Sequence, residues 1–122
     1  MQITVQHMIQ NSKTGDVEGF RDVALVTCDH DTVEEALEYA YRYTNNVMGS
    51  WSIKETEFTL RDGSTQPNGD YNDDVTVLYN RPDGMGQRST MMGDRMTVNG
   101  KTYRVAMMGF KEVELHINHL FV

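Results

Sequence analysis

A chain of 122 residues and 14.0 kDa can bury one hydrophobic core but not two, so a single domain over 1–122 is expected. Eighteen acidic against 11 basic residues leave a net charge of -7 and a pI of about 4.9, which opposes a phosphate backbone and excludes direct nucleic-acid binding as the first reading. Nowhere does an apolar run approach the roughly 20 residues of a membrane span, and the first residues lack the basic and apolar regions of a signal peptide. With one cysteine, Cys28, and hence no internal disulfide, the expectation is a soluble protein of a reducing cytoplasm.

Residues 2–10 alternate, placing Ile3, Val5, His7 and Ile9 on one face, the period of a half-buried strand. Asn11 to Asp16 is turn chemistry, and residues 20–28 form a second β-rich run that pairs back as a hairpin. The period then changes. Val33, Ala36, Leu37, Ala40, Tyr41 and Thr44 fall at helical spacing, and Thr32 with Glu35 makes a capping box, so an amphipathic helix is expected over about 32–46. Glu38 and Arg42 are spaced for an i,i+4 pair, and Asn45-Asn46 for a left-handed helix end.

Trp51-Ser52-Ile53 and Glu57-Phe58-Thr59-Leu60 are short β candidates, with Trp51 large enough to anchor the helix on a sheet. Residues 61–74, rich in Gly, Asp, Asn and Ser, read as the longest loop and the most mobile one. Val75, Val77 and Tyr79 alternate as another strand, and Arg81-Pro82-Asp83-Gly84 is a turn. Asn99-Gly100 between two alternating runs is the strongest hairpin signal in the chain, because a type I′ turn needs positive φ at both central residues. Val113, Leu115 and Ile117 continue as a last strand before apolar Leu120-Phe121-Val122. Without βαβ alternation, the fold class is α+β: one helix on a curved, mostly antiparallel sheet or a small, partly open barrel.

Several constellations invite chemistry. His116 and His119, with His30 and Cys28, carry zinc-ligating groups, but residues three apart in a strand face opposite ways. Asp70, Asn72 and Asp74 resemble the start of a calcium loop, yet Val75 and Arg81 stand where the turn glycine and the bidentate glutamate belong. Cys28 beside His30 lacks an oxyanion loop and reads as a small buried apolar residue. The expectation is therefore no metal, no cofactor and no catalytic residue. Nine methionines, most of them expected to fill core and turns, include the adjacent Met91-Met92, which cannot both face one core and so suggest an apolar contact patch. Arg88 and Asp94 bracket that turn, with Asp94 expected to accept backbone N–H groups and Arg88 to pair with a carboxylate or contact a partner.

Arg88-Ser89-Thr90 through Gly93-Asp94, Val98-Asn99-Gly100-Lys101, Tyr103-Arg104-Val105 and Gly109-Phe110 resemble a pattern of small bacteriophage and mobile-element proteins grouped with YodL-like domains. There an Arg-Ser-x-Ser-x-Gly-Asp segment leads into a Gly-Lys hairpin, a Tyr-x-Val strand and a Gly-Phe exit; here Thr90-Met91-Met92 replaces the more usual small polar residue and Val. The resemblance implies an accessory module acting in the host cytoplasm. The expected function is accordingly a non-enzymatic protein that binds and modulates a host protein, such as a defence nuclease or RNA polymerase, through Arg88, Met91, Met92 and the acidic Asp70, Asp73 and Asp74. Two alternatives stand beside it: a small hydrolase or metal-dependent enzyme using Cys28, His30, Asp73 or Asp74, and a homodimer or larger homo-oligomer joined by the apolar tail.

Overall fold

The computed structural model describes residues 1–114, and in them β-structure dominates. The elements run β1 (Gln2–Gln10), β2 (Val17–Thr27), α1 (Val33–Tyr43), β3 (Glu57–Thr59), β4 (Thr65–Pro67), β5 (Val75–Val77), β6 (Arg95–Val98), β7 (Lys101–Val105) and β8 (Phe110–Glu112). Six strands form one sheet in the order β5-β2-β1-β6-β7-β8, with every pairing antiparallel, while β3 and β4 make a separate hairpin. The fold is α+β, and its sheet stays open rather than closing into a barrel.

The period-2 pattern of β1 buries Ile3, Val5 and His7 and leaves Gln2 and Gln10 exposed. Opposite it, β2 carries a bulge: Val5 pairs with Ala24 but Gln6 pairs with Asp22, so Val23 is the extra residue. Val23 and Ala24 are both buried, and beyond the bulge Arg21 stands opposite His7. The Asn99-Gly100 turn between β6 and β7 has φ of 52° and 77° at its two residues, the left-handed geometry its sequence requires.

Helix α1 begins as its capping box dictates, Thr32 Oγ1 accepting from Glu35 N–H with Glu34 and Glu35 in the first turn. It buries Ala36, Leu37 and Ala40 in one core with Ile3, Val5, Val26, Met96 and the fully buried Trp51. Each large side chain taken wholly out of water contributes about 1.5–3 kcal/mol to that packing.

Five expectations change. The helix stops at Thr44 rather than near 46, because Thr44 N–H reaches Ala40 O and Tyr41 O while Asn45 gives its side chain to Tyr41 O. Neither Asn45 nor Asn46 turns left-handed; Asn99 is the one non-glycine residue with positive φ among the described residues. Arg42 pairs with Asp70 (3.1 Å) instead of Glu38, since a buried carboxylate attracts the guanidinium more strongly than a solvated one. Residues 51–53 bend instead of forming a strand, and the proposed loop 61–74 contributes β4 and two buried polar anchors, Asn68 and Asp70. Its composition correctly excludes apolar burial, but not polar burial with partners. At the far end, β8 pairs with β7 and Val113 N–H extends the ladder to Thr102 O. The expected strand residues Leu115 and Ile117, the pair His116 and His119, and the Leu120-Phe121-Val122 tail lie outside the described residues.

Asn68 shows how the 46–56 segment is held. Its Oδ1 accepts from Ser50 N–H (2.9 Å), and the two hydrogens of its Nδ2 are shared among Ser50 O (2.9 Å), Glu55 O (2.9 Å) and the more distant Ile53 O (3.2 Å). A Cβ on Gly49 would stand 2.1 Å from Asn68 Oδ1, so glycine is required there by proximity. Gly49→Ala should cost about 2 kcal/mol in urea unfolding, chiefly by displacing Asn68. In an Asn68→Ala background the same substitution should cost clearly less, only the residue 68 Cα then standing close at 3.3 Å, and an unchanged penalty there would show that Gly49 acts through some other contact.

Candidate functional site

The stretch between the 81–84 turn and β6 crosses the end of the helix and the side of β1, and Asp94 fixes it. Asp94 is completely buried and accepts four hydrogen bonds: Arg88 Nη1 (2.7 Å) and Nη2 (2.9 Å), Met8 N–H (2.9 Å) and Met91 N–H (2.8 Å). Burial alone would raise its pKa, but the Arg88 guanidinium and the two backbone donors outweigh that and hold the carboxyl below its usual range. Asp94 thus accepts backbone N–H groups as expected, whereas Arg88, expected to pair with a carboxylate across the sheet, takes Asp94 itself in a bidentate pair. Arg88 is anchored at its backbone too, where its carbonyl accepts from Trp51 Nε1 (2.8 Å).

Beside this pair lies a directed chain of hydrogen bonds. His7 Nε2 contacts Thr90 Oγ1 at 2.9 Å, Thr90 Oγ1 donates to Thr44 Oγ1 at 2.8 Å, and Thr44 Oγ1 donates to Ala40 O at 2.7 Å. A carbonyl can only accept, so both hydroxyl protons point toward the helix and Thr90 must accept from His7. His7 is thus the Nε2–H tautomer, with a bare lone pair on Nδ1. Burial lowers its pKa to about 4; Asp94, 4.0 Å away, opposes that shift and Arg88 adds to it, so the ring is neutral at pH 7.

His7, Arg21, Tyr79, Arg81, Gln87 and Arg88 line a cleft of about 420 Å³ above this network. A second groove of about 510 Å³ lies at the helix C-terminus, lined by Glu38, Tyr41, Val47, Val105, Met107 and Phe110. No protein-family model, curated protein or solved structure matches this chain. Function is consequently read from the geometry of these surfaces.

The residues singled out in the sequence fall into different places. Arg88 is partly exposed at the cleft, while Met91 and Met92 are exposed on the turn that follows it. Asp70, expected at a partner surface, is buried with Arg42 and accepts from Val47 N–H (2.8 Å) and Met48 N–H (2.7 Å). Asp73 takes the Tyr71 hydroxyl at 2.8 Å, and Asp74 takes the Tyr39 hydroxyl, so the three carboxylates do not form one surface. Cys28, His30, Tyr39 and Asp74 do share a recess of about 340 Å³, but Cys28 is buried and His30 Nδ1 turns to Glu35 (3.2 Å). Among the described residues, no three His, Cys, Asp or Glu side chains are grouped to hold a metal ion.

His7 and Arg21 were missed as site residues. The alternation of β1 places His7 inward, but its hydrogen-bond partner Thr90 lies 83 residues away, and Arg21 reaches it only through the bulge. Because the folded His7 pKa lies below its unfolded value of about 6.5, the native state binds fewer protons in that window and loses stability as pH falls from 6.5 toward 4. The loss should reach about 2 kcal/mol by pH 5 in urea unfolding, with Asp94 adding a further loss at lower pH. His7→Gln should flatten the profile between pH 7 and 5; an undiminished slope would place the sensitivity elsewhere.

Proposed function

We propose that this chain is a non-enzymatic binding protein that docks on a partner protein through its methionine-bearing turns. The observation that carries the reading is the placement of the thioethers. Six of the nine methionines are exposed, including Met91 (41%), Met92 (54%), Met107 (85%) and Met108 (87%), whereas Met96 alone is fully buried. The expectation that methionine would mostly fill the core thus gives way to exposure. Gly93 N–H bonds Val105 O (2.8 Å), setting the Met91-Met92 turn beside the Met107-Met108 turn, and Thr90 N–H bonds Thr44 O (2.9 Å), bringing in the segment that carries exposed Val47 and Met48. Flexible, polarisable side chains of this kind form adaptable apolar contacts.

Charge around these turns describes the partner. Glu38 lines the groove with Val47 and Met107, beside Arg42, whose charge is paired with buried Asp70, and Glu34 lines the neighbouring recess with Phe110, on a chain of net charge -7. A partner segment offering an apolar side chain flanked by Lys or Arg is complementary to both features. The resemblance to phage and mobile-element accessory modules supports a host protein as that partner, and basic nucleic-acid channels of a defence nuclease or RNA polymerase carry the required charge.

Wild-type protein should recover a stoichiometric partner from bacterial lysate. The double substitution Met107→Ser and Met108→Ser should abolish recovery while leaving the circular dichroism spectrum and unfolding midpoint unchanged, because neither side chain packs in the fold. Absence of any stoichiometric partner, or full recovery by the double variant, would contradict the proposal.

A further inference from the structure

The cleft above the Arg88–Asp94 pair shares no lining residue with the helix-end groove, and its chemistry differs from that of the surrounding surface. Three arginines, Arg21, Arg81 and Arg88, face one carboxylate, Asp83, on a protein whose overall charge is -7. We infer that this cleft is a binding site for a small organic oxyanion, a phosphomonoester or carboxylate bearing an adjoining hydroxyl or N–H group.

Each wall contributes a distinct part. Arg88 is immobilised by Asp94, which uses one hydrogen of Nη2 and one of Nη1, and the other Nη1 hydrogen goes to Ser89 O (3.0 Å). Of the five N–H groups of a guanidinium, Nε–H and one on Nη2 remain to be offered. Arg21 places its guanidinium carbon 4.1 Å from the centroid of the Tyr79 ring and has no carboxylate within ion-pair distance among the described residues. This cation–π contact holds the guanidinium at the cleft and leaves its N–H groups unspent on any carboxylate. Arg81 is bound to Asp83, which is held in turn by Met85 N–H (3.0 Å), so this pair borders the cleft as a partly neutralised rim.

The fourth wall selects the ligand. His7 lines the cleft with Nε2 committed to Thr90, which leaves Nδ1 as its unprotonated acceptor, fixed in that state by the Thr90–Thr44–Ala40 chain. An oxyanion held by Arg21 and Arg88 must therefore carry a hydrogen-bond donor to satisfy Nδ1; a fully deprotonated ion without one leaves a lone pair facing oxygen. The size of the cleft, about 420 Å³, suits a small molecule rather than a polymer segment.

Titration at pH 7.5 with glycerol 3-phosphate, inorganic phosphate and sulfate, followed by calorimetry and by the His7 ring signals in NMR, tests the assignment. The two phosphates should bind and shift the His7 signals, and sulfate, lacking a donor, should bind at least tenfold more weakly. Replacing the exposed Arg21 and Arg81 together, as Arg21→Gln and Arg81→Gln, should weaken glycerol 3-phosphate at least tenfold without altering the unfolding midpoint. The inference is overturned if neither phosphate moves the His7 signals at millimolar concentration, or if the double variant binds as tightly as wild type. Equal affinity for sulfate and phosphate overturns the role assigned to Nδ1.

Discussion

One buried carboxylate holds the cleft side of this molecule together. Asp94 has no exposure to water, so its charge is tolerable only because both oxygens are fully engaged, one by Arg88 and Met8, the other by Arg88 and Met91. Those donors come from β1, from the crossing stretch and from its final turn, and a single residue therefore sets the relative position of all three. Trp51 closes the arrangement from below by donating to the Arg88 carbonyl, and its ring meets His7 edge-on at 6.0 Å. The aromatic core and the ion pair are in this way parts of one packing unit.

The same constraint separates two surfaces. Locking 88–94 leaves the Met91-Met92 turn projecting on one side, next to Met107-Met108, and the Arg88 edge open to the cleft on the other. Methionines at such turns contribute nothing to the core that Met96 already fills, so their exposure is a property of the surface and not a failure of packing. Arg42–Asp70 repeats the logic at the helix end, a buried carboxylate gathering an arginine and two backbone N–H groups to shape the segment bearing Val47 and Met48.

Local chemistry made the helix start at Thr32, the Asn99-Gly100 turn and the inward face of β1 legible in the sequence, because each depends on residues within a few positions of one another. Polar burial was not legible. Asp70 and Asn68 sit in a segment whose composition resembles solvated loop, and only partners 13 to 28 residues away convert them into anchors. Arg88 and Asp94 were readable as a bracket around a turn, being six residues apart, while the involvement of His7 depended on a contact spanning 83 residues. Methionine misleads for a different reason: its hydrophobicity fits core and contact surface equally, and periodicity cannot distinguish them at turns.

The bulge at Val23 has a consequence for how the cleft acquires its charge. In a strand pair, facing is a matter of parity, and one supernumerary residue reverses the parity of everything on the far side of it. In regular register, continuing from Val5 opposite Ala24, His7 would meet Asp22; the extra residue brings Arg21 there and sends Asp22 to the other face, where it takes Gln6 Nε2. The sign of the charge opposite the imidazole is thus set by the bulge and not by composition, because the same residues in an unbulged ladder would place an anion where the cleft now has a cation.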